Sequence, residues 1–85
     1  MRAARTPSPA ALIDITGESC PMTYVRTKLR LESLGPGEVL EVLLRGDEPK
    51  RNVPRSALEE GHLVLSLQPA GGGAWRLLIQ KGQER

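Results

Sequence analysis

The sequence predicts an α+β domain, a two-layer α/β sandwich in which a mixed four-stranded sheet carries two helices on one face. Apolar and β-branched residues alternate or cluster along four short segments, as in strands, and recur every three or four residues along two others, as in helices. In chain order these segments read βαβαββ. Segments this short favour one sheet covered on a single face by both helices.

The first strand and the first helix are predicted on either side of a turn. Residues 12–16 are apolar and β-branched and end at Gly17, which predicts a strand followed by a turn. The spacing becomes helical over residues 21–34, where Pro21 suits the first position and residues 35–37 (Gly-Pro-Gly) end the helix. Apolar residues three and four apart form its predicted buried stripe, namely Met22, Val25 and Leu29, widened by Tyr24, Leu31 and Leu34.

The second strand and the second helix follow. Residues 39–45 alternate as a strand, and residues 46–51 are predicted to form a turn. Asn52 is then expected to cap a short helix over residues 53–60 that Gly61 closes. The residues predicted to reach the core are Leu40, Val42 and Leu44 from the strand and Val53, Ala57 and Leu58 from the helix.

The last two strands are predicted to form a hairpin. Residues 62–68 and 74–81 both alternate, and residues 69–73 are expected to be the loop that joins them. The apolar faces of the two strands are predicted to consist of Leu63, Leu65 and Leu67 on the first and Trp75, Leu77 and Ile79 on the second.

The charge of the chain argues against a general nucleic-acid surface. Of the 12 Lys and Arg side chains in 85 residues, Arg2 and Arg5 lie in the first ten positions, so the other 75 residues carry 10 basic and 10 acidic side chains. No apolar run approaches the roughly 20 residues that span a bilayer, and residues 1–10 lack the apolar stretch that a secretory signal contains. We expect a cytoplasmic protein with a flexible leader over residues 1–10, the domain over residues 11–82 and a tail over residues 83–85.

The single cysteine, Cys20, stands between the first strand and the first turn of the first helix. The unpaired amides and the dipole of a helix N-terminus stabilise a thiolate, so we expect the pKa of Cys20 to lie below its ordinary value near 8.5. Pro21 stiffens the backbone and has no N–H, which leaves Met22 and Thr23 to support the thiolate. A rigid, partly ionised thiol suits attack on a persulfide. The alternatives are a buried, inert cysteine and, less favoured, a pair with His62.

A wider set of residues resembles a known family. The set consists of Asp14, Gly17 and Cys20-Pro21, a basic helix over residues 25–34 leading into Pro36-Gly37-Glu38, then Asp47, Pro49 and Gly61-His62. In this order the residues resemble the TusA/SirA-like sulfur-carrier proteins, whose mark is a Cys-Pro-x-Pro motif opening the first helix of a βαβαββ domain. Thr23 departs from that motif, because it keeps an N–H and adds a hydroxyl where the second proline would lie.

The resemblance implies a role for Cys20. In this family the cysteine accepts sulfane sulfur from a donor protein, such as a cysteine desulfurase or a rhodanese, and passes it to an acceptor protein. The resemblance therefore implies a persulfide sulfurtransferase that works with partner proteins, without metal or bound cofactor. Family members serve tRNA thiolation, molybdenum cofactor maturation or sulfur oxidation, so a link to tRNA would be indirect. The rival interpretation is a non-catalytic protein- or RNA-binding module in which Cys20 is structural.

Basic side chains on the two predicted helices are the candidate docking surface. They are Arg26, Lys28 and Arg30 on the first helix and Lys50, Arg51 and Arg55 around the second, with Asp47 as a further contact candidate. If both helices cover one face of the sheet, the two groups become neighbours and suit an acidic partner. The alternative is a solvated surface balanced by glutamates. We expect a monomer, with a transient disulfide dimer through Cys20 as the alternative.

Overall fold

The computed structural model describes residues 9–18 and 22–82. Its elements follow in the order β1 (Ala11–Asp14), α1 (Met22–Glu32), β2 (Val39–Arg45), α2 (Asp47–Glu59), β3 (Leu63–Gly71) and β4 (Ala74–Gln80). The predicted order βαβαββ and the α+β class are confirmed. Cys20, Pro21, most of the predicted leader and the predicted tail lie outside the described residues.

The four strands form one mixed sheet in the order β1-β2-β4-β3. β1 runs parallel to β2, whereas β4 is antiparallel to both of its neighbours, β2 and β3. A parallel neighbour requires a crossover connection, and α1 supplies it between β1 and β2. The strands β1 and β3 are therefore the two edges of the sheet.

The hydrophobic core lies between one face of the sheet and both helices. Alternate residues of β2 and β4 point into it, and α1 and α2 contribute from the other side. The fully buried core residues of these elements are Leu40, Val42 and Leu44, Leu77 and Ile79, Leu31, Val53 and Ala57. The core residues of β2 and β4 alternate along their strands, so both helices cover the same face of the sheet, as predicted. On the opposite face Val39 and Leu78 are also buried, at 3% and 7% exposed, and none of the described elements forms a second layer there.

The buried stripe predicted for α1 is wrong at Met22, Val25 and Leu29, whereas Leu31, Tyr24 and Leu34 reach the core as predicted. Met22 and Val25 are exposed and Leu29 is 61% exposed, whereas Thr23, Thr27 and Leu31 are fully buried. These three residues are four apart and share a helix face. The Thr27 hydroxyl donates to the Thr23 carbonyl at 2.8 Å, which satisfies its polar group inside the core. Two threonines therefore pack against the sheet, although a pattern based on apolar residues predicts that these positions face solvent.

The start predicted for α2 is also wrong. The helix begins at Asp47, and Asn52 lies inside it rather than capping it. Gly46, at φ 103°, forms the N-cap, and Asp47 and Glu48 place negative charge in the first turn, where the helix dipole favours it. Pro49 is tolerated because the amides of the first turn have no intrahelical partner. The segment predicted as a turn is therefore the beginning of the helix.

The hairpin differs from the prediction in its turn and in the register of its strands, which shifts between Val64 and Ser66 and again between Pro69 and Gly71. β3 runs on to Gly71, so the connection is the two-residue turn Gly72-Gly73, with φ of 61° and 82°. The register shifts between Val64 and Ser66, which leaves Leu65 as an extra residue. The core consequently receives Val64 and Leu67 from β3, while Leu63 and Leu65, which were predicted to face it, are exposed.

Candidate functional site

The connection from β1 towards α1 is anchored by Asp14. The Thr16 backbone N–H and the Thr16 hydroxyl both donate to Asp14 Oδ1, at 2.9 and 2.7 Å. These two donors, the backbone N–H first, lower the pKa of the Asp14 carboxyl below its ordinary value. The Glu18 N–H then donates to the Ile15 carbonyl at 3.0 Å, which closes a turn. The chain is thus held up to Glu18, two residues before Cys20.

Met22 and Thr23, the predicted supports of the thiolate, form the start of α1. Met22 is exposed, whereas Thr23 is fully buried on the side of α1 that faces the sheet. Both residues belong to the first turn of α1. Cys20 and Pro21 lie outside the described residues, so the thiolate-supporting role of Met22 and Thr23 stays a prediction.

A groove of about 520 Å³ runs between α1 and the edge strand β1. It is lined by Ile13 and Asp14 from the strand and by Arg26, Leu29, Arg30 and Ser33 from the helix. Arg26 forms an ion pair with Glu18, with Nε and Oε2 3.6 Å apart. The groove therefore combines an apolar wall with two guanidinium groups, and it brings together two of the predicted docking residues.

On its other side, α1 is tied to the end of α2. Tyr24 donates its phenol O–H to Glu60 Oε1 at 3.1 Å, and Lys28 Nζ lies 3.4 Å from Glu60 Oε2. Burial, followed by the negative charge of Glu60, raises the pKa of the Tyr24 phenol well above its ordinary value of 10.0. Lys28, although predicted as a docking residue, is thus engaged with Glu60.

The basic residues of α2 lie apart from the groove. Lys50 Nζ lies 4.0 Å from the centre of the Trp75 ring on β4, a cation–π contact. Arg55 donates to Asn52 Oδ1 at 2.9 Å, and Arg51 and Asp47 are exposed. Because β2 separates β1 from β4, the contacts place Arg26 and Arg30 at one side of the domain and Lys50 at another.

An exposed apolar stripe on α1 was missed by the sequence pattern. Met22, Val25 and Leu29 form it, and Leu29 also lines the groove. The buried face of α1 is instead marked by the four-residue spacing of Thr23, Thr27 and Leu31. A pattern that counts only apolar residues does not detect this spacing. The stripe begins two residues after Cys20, so an apolar surface starts beside the candidate nucleophile in the chain.

His62 holds a structural position. Its Nδ1 accepts a hydrogen bond from the Gly82 N–H at 3.0 Å. This bond connects the residue before β3 to the segment that follows β4. Within residues 9–18 and 22–82, no cluster of His, Cys, Asp or Glu side chains is arranged to hold a metal ion. None of the helices described has both the length and the apolar character needed to cross a membrane.

The fold and the lone cysteine just before α1 in the chain define a class of small, single-thiol α+β domains. The family description "Sulfurtransferase TusA" matches residues 11–81, and the chain belongs to this family. The crystal structure of a SirA-like protein from Desulfitobacterium hafniense is similar, with a TM-score of 0.76 and 28% identity over 86% of this chain and 99% of that one. The family resemblance and the fold predicted from the sequence are confirmed.

Two relatives carry descriptive names. A protein of Archaeoglobus fulgidus, named "Putative sulfur carrier protein", is 46% identical over 70 residues, which are 82% of this chain and 80% of the relative. The "Putative sulfur carrier protein YedF" of Escherichia coli K12 is 38% identical over 69 residues, 81% of this chain and 88% of the relative. Each alignment therefore covers most of this chain and most of the relative.

Proposed function

We propose that this protein is a sulfur carrier whose Cys20 cycles between thiolate and persulfide. The observation that carries the proposal is that the only cysteine of a TusA-family chain stands immediately before Pro21 and the first turn of α1. The names of the relatives from A. fulgidus and E. coli support the same role. Such a carrier works between a sulfur donor protein and an acceptor protein, and it needs no bound cofactor.

The transfer is a pair of thiol–persulfide exchanges. The Cys20 thiolate attacks the terminal sulfur of the donor persulfide, a new S–S bond forms, the donor S–S bond breaks, and the donor thiolate leaves with the electron pair. A nucleophile of the acceptor then attacks the terminal sulfur on Cys20 and releases the Cys20 thiolate. No external oxidant or reductant enters either exchange. Because each step starts from or releases a thiolate at Cys20, a lowered thiol pKa favours both.

The surface of α1 is proposed as the docking surface for these proteins. It offers the apolar stripe of Met22, Val25 and Leu29, and beside the stripe the guanidinium groups of Arg26 and Arg30. A partner that fits presents apolar side chains with carboxylates at their edge, because this pairs charges across the interface and covers the exposed leucine.

The other predicted docking residues belong to separate contacts. Lys28 is paired with Glu60, and the start of α2 carries its own patch of Asp47, Lys50, Arg51 and Arg55. We propose this patch as a second docking surface, and charge reversal at Lys50 tests it. Reduced affinity for one partner together with a changed salt dependence supports the proposal, whereas unchanged binding contradicts it.

The experiment that tests the carrier function is persulfide loading read by intact mass. Wild type and Cys20→Ser are incubated with a cysteine desulfurase and cysteine, and separately with a rhodanese and thiosulfate. We expect the wild type alone to gain the mass of one sulfur atom, and to lose it again when the adduct is treated with a thiol. No gain from either donor, together with a Cys20 that resists alkylation, would contradict the carrier function.

A second candidate is a non-catalytic interaction module. It is favoured by one observation, that the apolar stripe and the arginines of α1 form a docking surface without any need for the thiol. Under this alternative, Cys20→Ser retains full affinity for partners and full activity in the cell. Under the carrier proposal, the same variant retains docking but transfers no sulfur.

A further inference from the structure

The two edges of the sheet differ, and we propose that the β1 edge binds an extended acidic segment of a partner protein as an additional strand. β1 and β3 are the edges of the described sheet. An edge strand exposes backbone N–H and C=O groups that can pair with another extended chain. The inference rests on the docking surface proposed above for α1, because the groove beside β1 belongs to that surface.

The β3 edge is poorly suited to receive another strand. Its register shifts between Val64 and Ser66 and again between Pro69 and Gly71, and each irregularity interrupts the row of edge groups. Pro69 also has no N–H to donate. Bulges and prolines are features by which natural sheets prevent pairing between edges. The β3 edge is therefore protected.

The β1 edge has none of these features. β1 contains neither proline nor glycine, and its register with β2 is regular over residues 11–14. The pairing extends beyond the strand at both ends, because the Ala10 N–H donates to the Val39 carbonyl at 2.7 Å and the Ile15 N–H donates to the Leu43 carbonyl at 2.8 Å. The edge is consequently about 20 Å long, and alternate backbone groups along it point away from β2.

The groove between β1 and α1 is positioned to hold side chains from one face of the added strand. Ile13 packs against the core and lines the groove, together with Leu29 and Arg30 from α1. Successive side chains of a strand point to opposite faces, so every second residue of the added strand lies on the groove side. The groove offers these residues apolar contacts and a guanidinium group.

The charge of the groove favours an acidic segment. The Arg30 side chain forms no ion pair within the described part of the chain, and Arg26, one turn earlier, is paired with Glu18 at 3.6 Å. The Asp14 carboxylate, which also lines the groove, already accepts two hydrogen bonds from Thr16. A carboxylate on the groove side of the added strand therefore meets an unpaired guanidinium, and the contact is charge-assisted.

The other face of the added strand lies beside Leu12. This side chain is 54% exposed and points away from the helices, because it alternates with Ile13. An apolar residue next to it on the added strand covers part of its surface, as neighbouring side chains on paired strands do. The expected segment therefore alternates between acidic residues on the groove side and apolar residues on the side of Leu12.

An alternating peptide tests the strand pairing directly. The probe is an acetylated, fluorescein-labelled peptide of four glutamate–valine repeats, and its binding is measured by fluorescence anisotropy. Two further probes carry N-methyl groups on the two central glutamates or on the two central valines. Amides of alternate residues point to opposite edges of a strand, so one methylated probe should bind at least about tenfold more weakly while the other binds like the parent. Equal affinities of the two methylated probes would overturn the proposal.

Variants of the chain test the position of the peptide. Leu12→Ala should weaken binding about twofold to fivefold, whereas Leu58→Ala on α2, at a leucine that is 55% exposed, should leave it unchanged. Arg30→Gln should weaken binding about threefold to fivefold and reduce its salt dependence. Arg45→Gln is the matched control, because the Arg45 side chain contacts the Gly72 carbonyl in the hairpin turn. Peptide binding that neither Leu12→Ala nor Arg30→Gln weakens would overturn the proposal.

The probe carries no sulfur, so its binding is measured independently of persulfide loading. A chain that loads sulfur but does not bind the peptide retains the carrier function and refutes strand addition at β1. A chain that binds the peptide with the expected methylation pattern but gains no sulfur supports strand addition and contradicts the carrier function. A wild type that excludes the peptide by self-association, in a manner that Leu12→Ala abolishes, would identify a second copy as the occupant and overturn the proposal.

Discussion

Two leucines of α1, only two residues apart, should have opposite effects when they are truncated. Leu31 is fully buried in the core, whereas Leu29 is 61% exposed beside the groove. Leu31→Ala removes three buried carbons, at about 0.8 kcal/mol each, and leaves a cavity, so we expect a loss of about 2–5 kcal/mol in the free energy of unfolding. Leu29→Ala should change it by less than about 0.5 kcal/mol, as exposed substitutions usually do.

Urea unfolding followed by far-UV circular dichroism measures this difference. For a domain of this size, about 1 kcal/mol corresponds to roughly 4–8 °C in Tm, so the Leu31→Ala melting curve should be clearly displaced. The slope of the free energy against urea should stay constant if both variants unfold in the same two-state transition. A larger loss for Leu29→Ala than for Leu31→Ala would refute the described orientation of α1.

The same pair separates stability from docking. Leu29 belongs to the proposed docking surface, so Leu29→Ala should weaken the binding of a sulfur donor protein while it leaves stability unchanged. Leu31→Ala, measured at a temperature where it is folded, should bind the donor like the wild type. If both variants bind equally well, the apolar stripe of α1 is not the docking surface.

Three further predictions concern the turn, a tyrosine and an arginine. Gly72→Ala should destabilise the fold by about 1–2 kcal/mol, because residue 72 has a positive φ. Gly17→Ala should not destabilise it, because an added Cβ would meet open space there. Equal Tm values for the two variants would contradict this reasoning. The pKa of Tyr24 is raised in the folded state, so the stability it contributes is fully present below about pH 10, the unfolded value, and decreases as the pH rises above it. Tyr24→Phe should therefore make Tm less dependent on pH between about pH 9 and 11.5. Arg30→Glu should weaken donor binding and reduce its salt dependence, whereas Arg45→Glu, at an exposed arginine of β2 outside both proposed docking surfaces, should leave donor binding unchanged.

The parts of the fold that follow from the sequence are those where one pattern dominates. β2 keeps an apolar residue at every second position, namely Leu40, Val42 and Leu44, and is found with the predicted bounds, Val39–Arg45. The order of the elements also follows, because it depends only on where the period changes from two to about 3.6 residues. Both conclusions are independent of contacts between distant segments.

The errors arose where a side chain can serve two environments. Threonine counts as polar, yet Thr27 is buried because its hydroxyl bonds within the helix. Proline counts as a breaker, yet Pro49 is accepted in the first turn of α2. One extra residue at Leu65 reverses the faces of β3 around it. In each case the tertiary structure, rather than the residue type, determines where the side chain lies.

For the candidate site, the sequence leads to a hypothesis about the chemistry of Cys20, which stays a prediction, but not to the surface on α1. The position of Cys20 before a helix could be inferred from Pro21 and the period that follows. The groove could not be inferred, because it is lined by Arg26 and Arg30 from α1 and by Ile13 from β1, and only tertiary packing brings these residues together. The predicted proximity of the two basic groups depends on the same kind of packing, in which Lys28 contacts Glu60 at the end of α2 while Lys50 lies over Trp75 on β4.

The support of the thiolate by backbone amides can be tested at Thr23, where the chain departs from the family motif. Pro21 has no N–H, so the hypothesis assigns the hydrogen bonds to the sulfur to the amides of Met22 and Thr23. Thr23→Pro removes one of them, and proline at the second position of a helix is tolerated. A hydrogen bond to a charged group contributes about 1.5–3 kcal/mol, so we expect the thiol pKa to rise by about one or more.

Thr23→Val is the matched control, because it removes the hydroxyl, keeps the amide and preserves the shape of a side chain that is fully buried. The thiol pKa is obtained from the alkylation rate as a function of pH, and Tm is recorded for both variants to separate electrostatics from packing. If the amide is the donor, Thr23→Val titrates like the wild type while Thr23→Pro titrates higher. A thiol pKa in Thr23→Pro equal to or below that of the wild type would mean that the amides do not stabilise the thiolate, and the reactivity of Cys20 would then have to come from its partner proteins.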